Sequence, residues 1–102
     1  MRNGAMMQIR WLRTALAHIV ELPSWIEQDF PGAGSDTVAQ KVRTIIGTIK
    51  ELAADPAKAS SRAGRIAGTR EQPLLFDHYT LIYRVRNPAF EVLGILPTSR
   101  KS

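Results

Sequence analysis

Residues 61–85 read S-R-A-G-R-I-A-G-T-R-E, then Q-P-L-L-F-D-H, then Y-T-L-I-Y-R-V. The stretch sets four arginines (Arg62, Arg65, Arg70, Arg84) and two tyrosines (Tyr79, Tyr83) around two apolar runs. Asp77-His78, lying between Leu74-Leu75-Phe76 and Tyr79-Thr80-Leu81, predicts a tight hairpin. Thr69–Phe76 and the run from Tyr79 onward are then its two strands. Pro73 has no N–H for a ladder, so its position belongs at an edge or a bulge. In the second strand, Leu81, Tyr83 and Val85 share one face, and Thr80, Ile82, Arg84 and Arg86 share the other. Arg62–Ala67 reads as the start of a further strand, interrupted at Gly68.

Beyond the hairpin, Asn87-Pro88 turns the chain and Phe90–Leu96 returns as a strand, apolar on both faces and so suited to a sheet interior. Pro97 ends it, and residues 98–102 form a polar tail. On the other side, Pro56–Ser61 is a small, polar loop. Val38, Val42, Ile45, Ile46, Ile49, Leu52 and Ala53 recur at steps of three and four, the apolar stripe of a helix packed on one side. Ser35 or Asp36 is the expected cap of that helix, and Asp55-Pro56 its end. Phe30-Pro31-Gly32-Ala33-Gly34 is a stop for an earlier helix over Ala15–Phe30, with Thr14 as its expected cap. Pro23 predicts a kink or break of that helix near Leu22. Met7, Ile9 and Trp11 alternate, which predicts a short first strand. The class is therefore α+β in one domain, residues 1–102: a strand, an antiparallel two-helix hairpin, and a three-stranded antiparallel meander, with the helices on one sheet face. Met1–Ala5 reads as a flexible extension, with Met6 or Met7 as an alternative start.

The chain has no cysteine and two histidines, His18 and His78. That excludes disulfide stapling, thiol catalysis and cysteine-ligated zinc, and disfavours a histidine-rich metal site; the expectation is no metal and no cofactor, in a reducing cytoplasm. No apolar run approaches the ~20 residues of a membrane span, and residues 1–7 lack the apolar core of a secretory signal. The net charge of +5 is unevenly placed: residues 1–57 carry six basic and six acidic side chains, residues 58–102 eight and three. Such an asymmetry points to an acidic partner, whether nucleic acid or an acidic protein segment.

These residues resemble the ParE/RelE superfamily of bacterial toxin–antitoxin toxins. The resemblance is carried by R-A-G-R-I-A-G-T-R-E at 62–71, H-Y-T-L-I-Y-R-V at 78–85 and F-E-V-L-G-I-L-P-T-S-R at 90–100. I-R-W-L-R-T-A-L-A-H-I from Ile9, D-F-P at 29–31 and A-x-K-V-x-x-I at 39–45 add to it, so that it covers about residues 7–100. It implies the α+β order derived above and the toxin half of a plasmid-stabilisation type II pair. RelE-type members are ribosome-dependent messenger RNA endonucleases; ParE-type members bind DNA gyrase and block it. G-T-R-E at 68–71 followed by Y-x-L-I-Y at 79–83 looks more like the ParE branch. That branch implies a target-binding surface from Arg62, Arg65, Arg70, Arg84, Arg86 and Arg100, without catalysis. The family also implies a cognate antitoxin whose acidic C-terminal segment wraps the toxin, with Leu22, Trp25 and Ile26 as an exposed apolar receiving surface.

The alternative is a metal-independent nuclease acting on ribosome-bound messenger RNA. Such cleavage needs help to deprotonate a 2′-hydroxyl, stabilise the phosphorane and protonate the leaving oxygen. Arg65, Arg70 and Arg100 are candidates for a phosphate clamp, with His78 and Tyr83 for proton transfer. Arginine is a poor proton shuttle, because its pKa lies above ~12. Thr80 stands where RelE-type toxins often place an arginine, and the terminal tyrosine of many such nucleases is lacking. The plainer readings are an arginine cluster that is only a solvated face, Tyr79 and Tyr83 as strand packing, and His18 as a structural helix residue. They would also make His78 an exposed turn residue, Trp11 and Trp25 packing groups, and the fold a binding module without toxicity.

Overall fold

In the computed structural model, which describes residues 7–98, the periodic apolar stripe forms the second of two helices that cover one face of a five-stranded sheet. The order is β1 (Gln8–Trp11), α1 (Arg13–Asp29), α2 (Ser35–Ala54), a 3-10 turn (Pro56–Lys58), β2 (Arg62–Ala63), β3 (Arg70–Leu74), β4 (Tyr79–Arg86) and β5 (Ala89–Pro97). The sheet runs β1-β5-β4-β3-β2, antiparallel except for the parallel pair β1–β5. β5 is thus interior, as its two apolar faces require. The expected meander is β3–β4–β5; β2 adds a two-residue edge. Because β2 reaches only Arg70 and Glu71, the Pro73 stretch of β3 is an open edge, where a missing ladder donor is tolerated.

The core lies between helices and sheet. Ala15, Leu22 and Ile26 of α1 and Val38, Ile45, Ile49 and Ala53 of α2 meet Leu74, Tyr79, Leu81, Tyr83, Phe90, Val92 and Ile95. Tyr83 stacks on Phe90 at 4.7 Å, and the Tyr79 hydroxyl donates to Asp29 at 2.8 Å.

Several local expectations are corrected. Thr14 is not a cap: α1 begins at Arg13 after Leu12, and the Thr14 hydroxyl instead donates to the Leu93 carbonyl of β5. Nor does Ser35 or Asp36 cap α2, whose N-cap is Gly34 with no side-chain bond. Of the kink or break expected at Pro23, the break does not occur: α1 runs through Pro23, which lies on its exposed side. β3 ends at Leu74, so Asp77-His78 is not a two-residue hairpin. Leu75–His78 form the turn, with Phe76 and Asp77 at its centre and the His78 N–H closing on the Leu75 carbonyl at 3.1 Å. Residues 1–5 lie outside the described residues.

One irregularity fastens α1 to the sheet. Between Ile82↔Gly94 and Tyr83↔Val92 the register shifts, leaving Leu93 as an extra residue in β5, a bulge. Beside it, the Ile95 N–H donates to His18 Nδ1 at 3.2 Å. A Cβ on Gly94 would lie 3.0 Å from the His18 ring, so glycine there lets the helix approach. His18 is a structural residue, as the plainer reading held.

Candidate functional site

Strand alternation sends Tyr79, Leu81 and Tyr83 toward the helices and Thr80, Ile82, Arg84 and Arg86 toward the opposite, open face. The register then fixes the other occupants of that open face. Arg62 of β2 lies opposite Glu71 of β3, and Glu71 opposite Ile82. Arg84 lies opposite Glu91 of β5, and Glu91 opposite Arg10 of β1. Two cross-strand rows of arginine and glutamate therefore cover the open face.

The two carboxylates organise it. Glu71 is 4% exposed and Glu91 5%, and each is held by arginines, as a buried charge must be. Glu71 Oε2 accepts from Arg65 Nε at 2.7 Å and from the Arg65 backbone N–H at 2.9 Å. Its Oε1 accepts from Arg65 Nη2 at 3.3 Å and lies 3.7 Å from Arg62 Nη2. Glu91 Oε1 accepts from Arg84 Nε and lies 3.8 Å from Arg86 Nη1, while its Oε2 lies 3.8 Å from Arg10 Nη1. The Arg84 hydrogen bond foremost, then the charges of Arg84, Arg86 and Arg10, hold the Glu91 carboxyl below the usual carboxylate range. The Glu71 hydrogen bond likewise raises the Arg65 guanidinium. Arg65 and Arg84 are pinned; Arg10, Arg62 and Arg86 keep more than half of their side chains in solvent.

Arg65 is aimed by a tightly wound loop. The Gly64 N–H donates to the Thr69 carbonyl at 2.8 Å, and the Thr69 hydroxyl to the Ile66 carbonyl at 2.6 Å. A Cβ on Gly64 would lie 2.2 Å from Thr69 Oγ1 and 3.1 Å from the Thr69 backbone, so no side chain fits.

Arg62, Arg65, Arg84 and Arg86 are thus brought together on one face. Arg70 is not with them: it lies opposite Tyr83 on the helix side of the sheet. There its Nε and Nη2 donate to the Ser61 hydroxyl and carbonyl at 3.1 and 2.7 Å. The Tyr83 hydroxyl donates to the same Ser61 hydroxyl at 2.9 Å, and a cleft of about 520 Å³ opens beside them, lined also by Pro56, Ala59 and Val85. His78 packs on Phe30 at 4.7 Å, past the Leu74↔Tyr79 end of the pairing in which Arg70 lies opposite Tyr83; Tyr79 and Tyr83 alone are four residues, roughly 13 Å, apart along the strand, and His78 lies beyond. Arg100 lies outside the described residues. Arg65, Arg70, His78 and Tyr83 therefore do not form one cluster, and no group of acidic or histidine side chains suited to a metal occurs among the described residues.

The apolar receiving surface is also corrected. Leu22 and Ile26 are 0% exposed, because they sit on the inner face of α1, and Trp25 is half-buried against the core. The apolar residues that α1 does present are Leu16 and Val20, 50% and 75% exposed and one turn apart. Sequence reasoning missed them, and also Arg10, Glu71 and Glu91. Of these, the Arg84–Glu91 pair was open to detection, since a turn centred on Asn87-Pro88 puts residues 84 and 91 opposite each other.

Residues 9–102 match the family model described as the ParE toxin of the type II toxin–antitoxin system, parDE. The chain belongs to the ParE toxin family. A candidate toxin of Sinorhizobium fredii, Y4kP, is 38% identical over 90 residues, covering 87% of this chain and 85% of that one. Among solved structures, a chain of the chromosomal ParDE toxin–antitoxin system of P. aeruginosa superposes with a TM-score of 0.76 at 20% identity, over 92% of this chain and 98% of that one. A chain of the RelBE2 toxin–antitoxin complex of Mycobacterium tuberculosis gives 0.58 at 20%, over 90% and 98%. At that identity both speak to the fold, the ParE/RelE fold expected from the motifs. No helix among the described residues is long and apolar enough to cross a membrane.

Proposed function

We propose that this ParE-family toxin acts by binding DNA gyrase and blocking it, without cleavage chemistry of its own. The arginine face is the contact surface. The carrying observation is the separation of the groups a nuclease would need: Arg65 and Arg70 lie on opposite faces, His78 is at the far end of the sheet, and the Tyr83 hydroxyl is buried and donates to Ser61. Arginine alone holds charge but moves no proton at neutral pH. What remains is a plate of five arginines around two carboxylates, suited to an acidic protein surface.

The same charge suits a cognate antitoxin with an acidic C-terminal segment, and two of the chains it resembles in fold come from a ParDE toxin–antitoxin system and a RelBE2 toxin–antitoxin complex. Electrostatic complementarity speeds such association more than it deepens it. Leu16 and Val20 on α1 supply an apolar patch for that partner, in the role expected of Leu22, Trp25 and Ile26. The reading as a ribosome-dependent messenger RNA endonuclease keeps one specific support, the cleft where Arg70, Ser61 and Tyr83 meet.

Expression without antitoxin, with gyrase supercoiling and transcript integrity measured in parallel, tests the proposal. Lost supercoiling with intact transcripts is the expected result. Site-specific cuts in ribosome-bound transcripts would overturn it, and an absent growth defect would leave a binding module.

A further inference from the structure

The β3–β4 turn is built against the preferences of its own residues. Leu75, Phe76 and Asp77 all have positive φ, 50°, 56° and 72°. Positive φ at both central residues is the sign pattern of a type I′ hairpin turn, whose favoured occupants are asparagine and glycine. Here the first central position is phenylalanine, for which left-handed backbone is strained. The strain is not offset by burial, because Phe76 is 97% exposed.

The base of the turn, by contrast, is firmly held. Leu75 packs against the core. The His78 ring lies 4.7 Å from Phe30, whose own ring carries Lys41 Nζ at 4.3 Å. The His78 carbonyl accepts the Thr98 N–H at 2.9 Å. A phenyl group is thereby displayed on a fixed stalk, already in position for insertion. Strained residues that persist on a rigid frame cluster at active sites, ligand clamps and switch regions, and a large aromatic side chain is a common energetic anchor of protein interfaces.

Charge narrows what receives it. Asp77 is exposed beside Phe76, and Asp29 lies at the same end of the sheet, bonded to Tyr79. Arg84 and Arg86 are at the other end of β4, roughly 20 Å away at the rise of a strand. Asp77 would repel a phosphate backbone; among the described residues no arginine lies beside it, and the neighbouring Lys41 is seated over the Phe30 ring, so a protein pocket fits better than a nucleic acid.

We infer that the Phe76–Asp77 tip is a second contact point with the protein that this toxin inhibits: a phenyl anchor for an apolar pocket with a basic rim. The inference rests on the reading that the target is a protein. The acidic segment of the antitoxin already has its complement in the arginine face, and its apolar part in Leu16 and Val20 of α1.

The test uses the full chain as wild type and as Phe76→Asn, which suits left-handed backbone. The variants are compared in thermal unfolding, in binding to purified gyrase and to the cognate antitoxin, and in growth arrest on induction. Relief of strain raises Tm by about 4–8 °C. Gyrase binding falls at least about 10-fold, as for an aromatic anchor, growth arrest weakens, and antitoxin binding stays within about 2-fold. Wild-type binding to gyrase with no loss in the variant overturns the tip and leaves the gyrase reading standing. Loss of antitoxin affinity instead would make the tip an antitoxin contact and also overturn it. If wild type does not bind gyrase, that reading fails by itself. The tip then stands only if Phe76→Asn abolishes growth arrest while wild-type transcripts stay uncut, and falls if arrest is unchanged.

Discussion

Replacing His18 by leucine or by asparagine separates the two things this histidine does for α1 and β5. Its Nδ1 accepts the Ile95 N–H at 3.2 Å, and Ile95 is 0% exposed, so no water replaces a lost acceptor. His18→Leu leaves that N–H unsatisfied, at about 1–3 kcal/mol. Even the lower bound lowers Tm by about 4–8 °C in a domain of this size. Asparagine places Oδ1 the same number of bonds from the backbone as Nδ1, so His18→Asn keeps an acceptor and loses only the titration. Burial lowers the His18 pKa below its usual 6.5, so the folded state binds fewer protons than the unfolded chain. The His18 contribution is therefore complete above about pH 6.5 and is lost as pH falls from there through the folded value. A protonated Nδ1 would turn a donor toward the Ile95 donor. Ordinary carboxylates titrate near 4, so pH 5–6.5 isolates the two histidines, and comparing wild type with His18→Asn isolates the part due to His18. Thermal unfolding followed by circular dichroism at pH 7.5, 6.5 and 5.5 is the assay. A His18→Leu protein as stable as wild type at pH 7.5, or a pH slope that survives in His18→Asn, would refute the reasoning.

Glu91→Gln removes a carboxylate whose folded pKa is depressed, chiefly by the Arg84 hydrogen bond. The wild-type contribution is present above about pH 4.3, the ordinary glutamate value, and lost as pH falls below it, so the variant's Tm should change less between pH 5 and 3. The same variant adds one positive charge yet should associate more slowly with an acidic partner, because Arg84 is no longer held in place; stopped-flow mixing reads the sign. Gly64→Ala forces Thr69 to move and should cost about 1–3 kcal/mol, with partner binding reduced as Arg65 leaves Glu71. The triple variant Arg10→Ala, Arg62→Ala, Arg86→Ala removes exposed contacts of 3.7–3.8 Å, each worth within about 0.5 kcal/mol of stability. Its Tm should stay within a few degrees of wild type while association slows about 10-fold and loses most of its salt dependence.

What the sequence made legible was whatever depends on neighbours along the chain. The stripe from Val38 to Ala53 gave α2, because one buried face imposes a 3.6-residue period that no other element produces. Phe90–Leu96 gave an interior strand for a similar reason: apolar residues on both faces have nowhere else to go. The caps were misjudged because a hydroxyl near a helix start has competing partners. Thr14 finds the Leu93 carbonyl, which is free only because of a bulge that no local pattern announces. Pro23 was expected to kink or break α1, and the helix runs on through it; the lost N–H costs little when the Ile19 carbonyl can turn to water on an exposed side. Leu22 and Ile26 were assigned to the surface for want of the helix phase; Ala15, Leu22 and Ile26 share the buried side, and Leu16 and Val20 take the outside.

The arginine face was legible as a charge excess but not as an arrangement. Net charge adds Arg62, Arg65 and Arg84 and subtracts Glu71 and Glu91, so the glutamates look like dilution. On the sheet they do the opposite work: each buried carboxylate fixes one guanidinium by hydrogen bonds and draws others to within 4 Å. Arg10 joins them only because β1 pairs in parallel with β5, a contact between the two ends of the chain that leaves no trace in local spacing. Arg70 has the same charge as Arg65 and is a short loop away, yet strand alternation puts it on the other side of the sheet. A count of cations could not distinguish those two, whereas one residue of register decides which partner each can meet.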